Sequence, residues 1–228
     1  MRKGLVIGGT SGIGKQFIED AEDDSRFEGV SWFAPDPNSV DVTRNHTLAR
    51  YIREEGPFDF LVYCAGVNVL QWISEITDDA LDETFAVNVE GFIWMLDFHE
   101  SYFPAHSGSV VAITSDASRI AMRTSIAYCS SKAALNMAVR CAARELAPRW
   151  QVNAVAPGII ADTPMTDYVD ATVPEIRGWS VERAHEYERS MIPIGRRGTK
   201  HEISHVMRDL LNSPGYLTGT IVEISGGK

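Results

Sequence analysis

The apolar run Leu5-Val6-Ile7 breaks directly into Gly8-Gly9-Thr10-Ser11-Gly12-Ile13-Gly14, and a helical pattern runs on from there toward Asp24. A buried strand that turns on glycines straight into a helix leaves the chain few architectures to choose from. Residues without β-carbons let backbone N–H groups approach a bulky anion, and the positive end of the helix dipole faces the same point. The spacing Gly8-x-x-x-Gly12-x-Gly14, with Thr10, Ser11 and Ile13 filling the turn, therefore suits a pyrophosphate. Glycine-rich turns also serve simply to reverse a chain, so the surrounding pattern has to decide.

That pattern alternates. Strand-like segments at 30–34, 58–63, 109–114, 152–156 and 220–224 are separated by helical spacing around Leu48 and Ile52, over 78–103, over 125–146 and over 201–211. Strands interleaved with helices imply parallel β-α-β units, hence a doubly wound, mainly parallel sheet of about seven strands in a three-layer α/β/α sandwich. No repeat, low-complexity tract or linker divides the 228 residues, so one domain over 1–228 is expected. The segment 162–193 is polar and rich in breakers, and is expected to form a substrate lid with Met165, Tyr168, Trp179 and Tyr187 as apolar lining.

Composition narrows the partners. A net charge of -10 leaves no basic excess to neutralise a nucleic-acid backbone. No apolar run approaches the ~20 residues of a membrane span, and 5–7 is too short for a signal peptide. Three scattered cysteines, Cys64, Cys129 and Cys141, without a CxxC pair fit a reducing compartment, so a cytoplasmic protein is expected.

The chemistry centres on Tyr128-Cys129-Ser130-Ser131-Lys132 at the start of the alanine-rich helix. Positions i and i+4 share a helix face, and an ammonium near a phenol favours the phenolate. Bringing a tyrosine from ~10 toward neutrality takes roughly 4 kcal/mol, which a close lysine and a cationic cofactor ring would together supply. Such a phenol exchanges a proton with an alcohol. Ser115, 13 residues upstream at a strand end, is placed to orient a carbonyl oxygen.

In these segments the chain resembles the short-chain dehydrogenase/reductase family along nearly its whole length. The motifs are Gly8-x-x-x-Gly12-Ile13-Gly14, Asp41-Val42, Cys64-Ala65-Gly66, Val87-Asn88-Val89, Ser115, Tyr128-x-x-x-Lys132, Asn153-Ala154-Val155-Ala156-Pro157-Gly158 and the closing Gly226-Gly227. The resemblance implies a Rossmann fold and hydride transfer between a nicotinamide cofactor and a small alcohol or carbonyl compound. It implies Tyr128 as general acid/base, Lys132 holding the nicotinamide ribose and lowering the Tyr128 pKa, Ser115 on the substrate oxygen and Asn88 in a proton relay. Cofactor contacts are implied for the glycine turn, Asp41, Val42, Cys64, Ala65, Gly66, Pro157, Gly158, Ile160 and a threonine. By strict counting that last position is Asp162; the Thr-Pro-Met match favours Thr163. A homo-oligomer, dimer or tetramer, is implied as well, with Trp94 and Phe98 on either a core or a contact face.

Three positions depart from the family pattern. Ile7 stands for a threonine, Cys64 for an asparagine that ties two strands, and the stretch between Asp36 and Asp41 is too short for the usual helix and strand. Asp36 reads equally as the ribose-binding acid or as a turn residue between prolines. As the ribose acid it favours NAD over NADP, and so does Ser11 where many NADP users carry a basic residue; Lys15 and Arg44 keep NADP open. Two other readings compete with the enzyme. A nucleotide-binding sensor or scaffold would have no need of Asn88, Ser115, Tyr128 and Lys132 together. The run His201-Glu202-Ile203-Ser204-His205 fits a zinc-hydrolase helix, but lacks a third ligand and reads as an ordinary helix start.

Overall fold

A computed structural model describes residues 1–228. It holds one sheet of six strands, all parallel, in the order β2-β1-β3-β4-β5-β6. The strands are β1 (Arg2–Ile7), β2 (Val30–Phe33), β3 (Phe60–Tyr63), β4 (Gly108–Ile113), β5 (Trp150–Pro157) and β6 (Ile221–Ile224). The expectation of seven strands is corrected to six by the segment 34–44, which is a chain of turns. The Asp36 carbonyl accepts from Ser39 and Val40, and its Oδ1 accepts from the Asn38 backbone and side chain, each at 2.8 Å. Asp41 Oδ1 does the same for Thr43. Two aspartates that satisfy the local backbone in this way leave no room for a further strand, so β2 forms the sheet edge.

Both faces of the sheet are covered, which is why β1, β3 and β4 read as continuous apolar runs. One face carries α2 (Asn45–Glu55), α4 (Gly91–Tyr102) and α5 (Ile126–Leu146) over Leu5, Leu61, Tyr63, Val110 and Trp150. The other carries α1 (Gly12–Glu22) and α8 (Lys200–Leu211) over Val6, Val62, Val111 and Val155. There Trp32 packs against Phe17, Phe27 and Phe60 with ring centroids 5.0–5.7 Å apart. Gly4 makes room for it, since a Cβ at that position would lie 2.2 Å from the indole.

The stretch 78–103 folds as one helical run, α3 (Asp78–Phe85) passing through a π turn over Ala86–Glu90 into α4. The Tyr63 hydroxyl donates to the Val87 carbonyl inside that turn. Gly91 permits the approach, because a Cβ there would stand 2.2 Å from the hydroxyl. Residues 162–193 form two helices, α6 (Pro164–Arg177) and α7 (Val181–Ser190). Thr163 caps α6 by accepting from the Thr166 backbone at 3.1 Å, with Pro164 at the first helical position. No helix is long and apolar enough to cross a membrane.

Candidate active site

The carboxyl ends of β1, β3, β4 and β5 open onto one cleft of about 640 Å³, closed on its far side by α6 and α7. At its floor the glycine turn has the geometry a phosphate needs. Gly8 has φ +80°, and a Cβ there would stand 2.6 Å from the Ala65 nitrogen; a Cβ on Gly14 would stand 2.3 Å from the Gly8 oxygen. Gly12, at φ +53°, meets nothing closer than 3.8 Å, so a side chain there would fill the open cradle. The Ser11 hydroxyl makes no cap bond, and the first helical hydrogen bond runs from Lys15 to Ser11. The N–H groups of Gly12, Ile13 and Gly14 therefore have no helical partner, and the turn fits the pyrophosphate of a dinucleotide. Thr10 and Ser11 line the same wall.

Above the cradle three chemical groups converge. Ser115 lies just past the end of β4; its hydroxyl accepts from the Ala117 backbone at 3.1 Å and donates to Asp116 Oδ1 at 3.3 Å. Tyr128 and Lys132 project from the first two turns of α5, and both are buried. Lys132 Nζ donates to the Ile113 carbonyl at 3.0 Å and lies 5.8 Å from the centre of the Tyr128 ring. All three side chains line the cleft. Asn88, fully buried in the π turn, accepts from the Val67 backbone at 2.9 Å and donates to the Val67 carbonyl and the Ser131 hydroxyl, each at 2.9 Å. It thus braces the loop after β3 against α5. Ser131, between Tyr128 and Lys132, is a partner that pattern reading passed over; only its place in the same helical turn marked it.

The protein's own groups do not bring Tyr128 toward neutrality. Burial pushes its phenol up to about 12; the Ser115 hydroxyl opposes the rise, and the charges of Asp116 and Cys129 add to it. Burial also lowers Lys132 to about 8. Desolvation penalises both charged forms and is the largest cause of each shift.

The nicotinamide side of the expected contact set is brought together: Cys64, Ala65, Gly66, Pro157, Gly158, Ile160 and Thr163 all line the cleft. Gly66 lies so close that a Cβ would stand 3.3 Å from Lys132 Nζ. Replacing asparagine by Cys64 does not untie the strands, because the Cys64 backbone N–H donates to the Ile7 carbonyl at 2.8 Å. The adenosine side is not gathered in the same way. Asp36, Asp41 and Val42 stand off the cleft wall, where Pro37 alone represents that segment. Val42 packs on the core instead. Of the proposed lid lining, Met165 and Tyr187 face the cleft; the Tyr168 hydroxyl accepts from the Leu70 backbone at 3.3 Å, and Trp179 packs edge-on to Tyr187.

The His201–His205 run is the first turn of α8. Glu202 closes a capping box with Thr199 and pairs with Arg196, which holds its carboxyl down near 2. His201 turns to Asp20 at 2.9 Å and His205 to Asp209 at 3.5 Å, so the two imidazoles serve different carboxylates.

Comparison with known proteins agrees with this geometry. The family model described as enoyl-(acyl carrier protein) reductase matches residues 34–228. Human L-xylulose reductase is 29% identical over 99% of this chain and 96% of its own. A diacetyl reductase, (S)-acetoin forming, of Staphylococcus aureus is also 29% identical, over 98% and 96%. Among solved structures, a short-chain dehydrogenase family protein from Francisella tularensis superposes with a TM-score of 0.85 at 25% identity, over 99% and 98% of the two chains. An actinorhodin polyketide ketoreductase with NADPH shares the fold, with a TM-score of 0.88 at 22% identity over 99% and 96%. The glycine cradle, the convergent serine, tyrosine and lysine, and these matches together establish that the chain belongs to the short-chain dehydrogenase/reductase family of NAD(P)-dependent oxidoreductases.

Proposed function

We propose that the chain interconverts a small carbonyl compound and its alcohol, with Tyr128 as the general acid/base. The observation that carries this reading is the convergence of the Ser115, Tyr128 and Lys132 side chains on one cleft beside the glycine cradle. A nicotinamide held by Gly66, Pro157, Gly158 and Ile160 would supply the hydride exchange and, when oxidised, a positive charge. Ser115 orients the substrate oxygen, which Tyr128 protonates on reduction or deprotonates on oxidation. Lys132 binds the ribose and contributes its charge to the phenolate, while Asn88 fixes the loop that bounds the site. Helices α6 and α7 act as the substrate lid, with Met165, Val169 and Tyr187 giving it an apolar inner face.

Asp36 supports NAD over NADP: a carboxylate just past β2 repels a 2′-phosphate. The two basic candidates nearby stand in exposed pairs, Arg44 with Asp41 at 3.5 Å and Lys15 with Glu19 at 3.9 Å. Three unpaired cysteines support a reducing, cytoplasmic setting. The stacked line Trp94-Phe98-Tyr102 along α4 supports assembly into a dimer or tetramer.

The test is turnover of a panel of ketones, diketones and sugar-like ketoses, followed by nicotinamide absorbance. Tyr128→Phe is expected to lose at least about a thousandfold in kcat, on the order of 4 kcal/mol of barrier, with cofactor affinity kept. Lys132→Ala is expected to weaken both. Near-normal rates in Tyr128→Phe would remove the proton-transfer role.

A further inference from the structure

Beside Ser115 the cleft wall holds a buried ion pair that the mechanism above does not use. Lys228 Nζ lies 3.0 Å from Asp116 Oδ2, with the two side chains only 7% and 4% exposed. The other carboxylate oxygen, Oδ1, accepts the Ser115 hydroxyl. Both charged residues line the same cleft as Tyr128.

The backbone after β6 is shaped to deliver Lys228 to this place. Gly226 and Gly227 have φ of +67° and +92°, which side chains resist. A side chain would also be crowded at both: a Cβ on Gly226 would stand 2.8 Å from Ile192 and Ile194, and one on Gly227 3.2 Å from Pro193. The Ile194 N–H donates to the Gly226 carbonyl at 3.1 Å. From the other side Arg119 grips Glu223 through two bonds of 2.6 and 2.7 Å. The segment is therefore clamped between the lid's exit and the loop that follows Ser115.

A carboxylate buried here without a partner would be costly, and its charge would oppose a phenolate nearby. We propose that Lys228 is a positioning residue that offsets the charge of Asp116, so that Asp116 accepts the Ser115 hydroxyl until a substrate oxygen claims that proton, with a smaller penalty on ionisation of Tyr128. This rests on the reading of Tyr128 as acid/base. The other groups facing Tyr128 do not perform that task. Lys132, on the same helix, is bonded to the Ile113 carbonyl. Cys64 is kept neutral by burial, and burial likewise raises the neighbouring Cys129. Across the cleft Arg123, Arg177 and His185 line the wall, while Asp170 and Glu188 are taken by Arg197. Lys228 is the one cation paired with Asp116.

The experiment is the pH profile of kcat/KM for alcohol oxidation, together with the ultraviolet phenolate absorbance titrated with cofactor but no substrate, using Tyr128→Phe as blank. Lys228→Met is expected to move the tyrosine inflection up by about one pH unit, and Asp116→Asn, which leaves the ammonium alone, to move it down by a similar amount. Lys228→Arg and the double variant Asp116→Asn/Lys228→Met are expected to sit near the parent. Opposite shifts that cancel in the double variant cannot come from a general loss of packing. If Lys228→Met fails to fold, the downward shift in Asp116→Asn decides the matter by itself. An inflection that stays put in Asp116→Asn, or a double variant that remains displaced, overturns the proposal. Activity surviving in Tyr128→Phe would instead overturn the acid/base reading beneath it.

Discussion

Asp36 holds one carboxylate oxygen on Asn38, and no hydrogen bond within the protein engages the other. A single side chain thus closes a turn and still faces outward with charge at the end of β2. Under the NAD reading proposed above, Asp36→Ala is expected to raise the NADP/NAD ratio of kcat/KM by about tenfold, some 1.4 kcal/mol. Steady-state rates with each cofactor check this, and an unchanged ratio would remove Asp36 from cofactor choice. Residues of this kind explain what a reader of the sequence can and cannot see. Ser115, Tyr128 and Lys132 are legible only in company with the glycine turn and the family resemblance, since spacing by itself does no more than put a phenol and an ammonium on one helix face. The pair Asp116–Lys228 is not, since its partners are separated by almost half the chain and meet only through two glycine conformations. The electrostatic balance at Tyr128 is also out of reach, because it depends on burial, which spacing does not report.

Among the elements, α6 and α7 show how a polar, breaker-rich segment becomes ordered. Its polar, breaker-rich composition does not reveal the cap at Thr163 or the ion pairs that fix the two helices. Arg197 binds Asp170 through bonds of 2.8 and 2.6 Å and Glu188 through bonds of 2.5 and 2.7 Å. One guanidinium therefore ties α6 and α7 to the segment before α8. Arg197→Met leaves two carboxylates facing each other without their cation. It is expected to raise the substrate KM about tenfold with kcat changed less than about threefold, and to speed proteolysis within 164–190; a KM equal to the parent's would show that the lid closes without this clamp. The strand count went astray at element scale for a related reason. The shortness of the stretch between Asp36 and Asp41 was visible, but only the Asx hydrogen bonds show that it folds as turns with no strand at all. The two helical stretches over 78–103 were legible as well; the π turn that joins them into one run was not, because it answers to a hydroxyl on β3.

For the molecule as a whole, acid is the perturbation to which one buried group responds most clearly. His99 is buried on the α4 face, and its Nε2 accepts the Phe58 backbone N–H at 3.0 Å, which requires the neutral ring. Burial, helped by His106 nearby, lowers its pKa to about 4. The unfolded chain binds this proton near ~6.5, so between those values it holds more protons than the native state. Stability is then fully present above about 6.5 and falls as the pH drops toward 4, by up to roughly 3 kcal/mol from this residue. Urea midpoints across that range are expected to decline in the parent and to flatten in His99→Gln. Carboxylates such as Asp24, held low by Arg26, enter only at more acid pH.

The hydroxyl that Tyr63 lends to the carbonyl of Val87 has a practical corollary. Tyr63 belongs to the larger of the two buried clusters, and Val87 stands one residue from Asn88. An engineer who redesigns that layer for heat tolerance also resets the loop bounding the chemistry, so robustness and turnover are to be traded there as one quantity. Beneath α8 the filling of Ile203, Met207 and Leu210 is apolar, and the layer reaches the reacting groups through the backbone of Ile113, whose carbonyl holds Lys132. The α8 side chains, away from Ile113, are the place to harden the enzyme without slowing it.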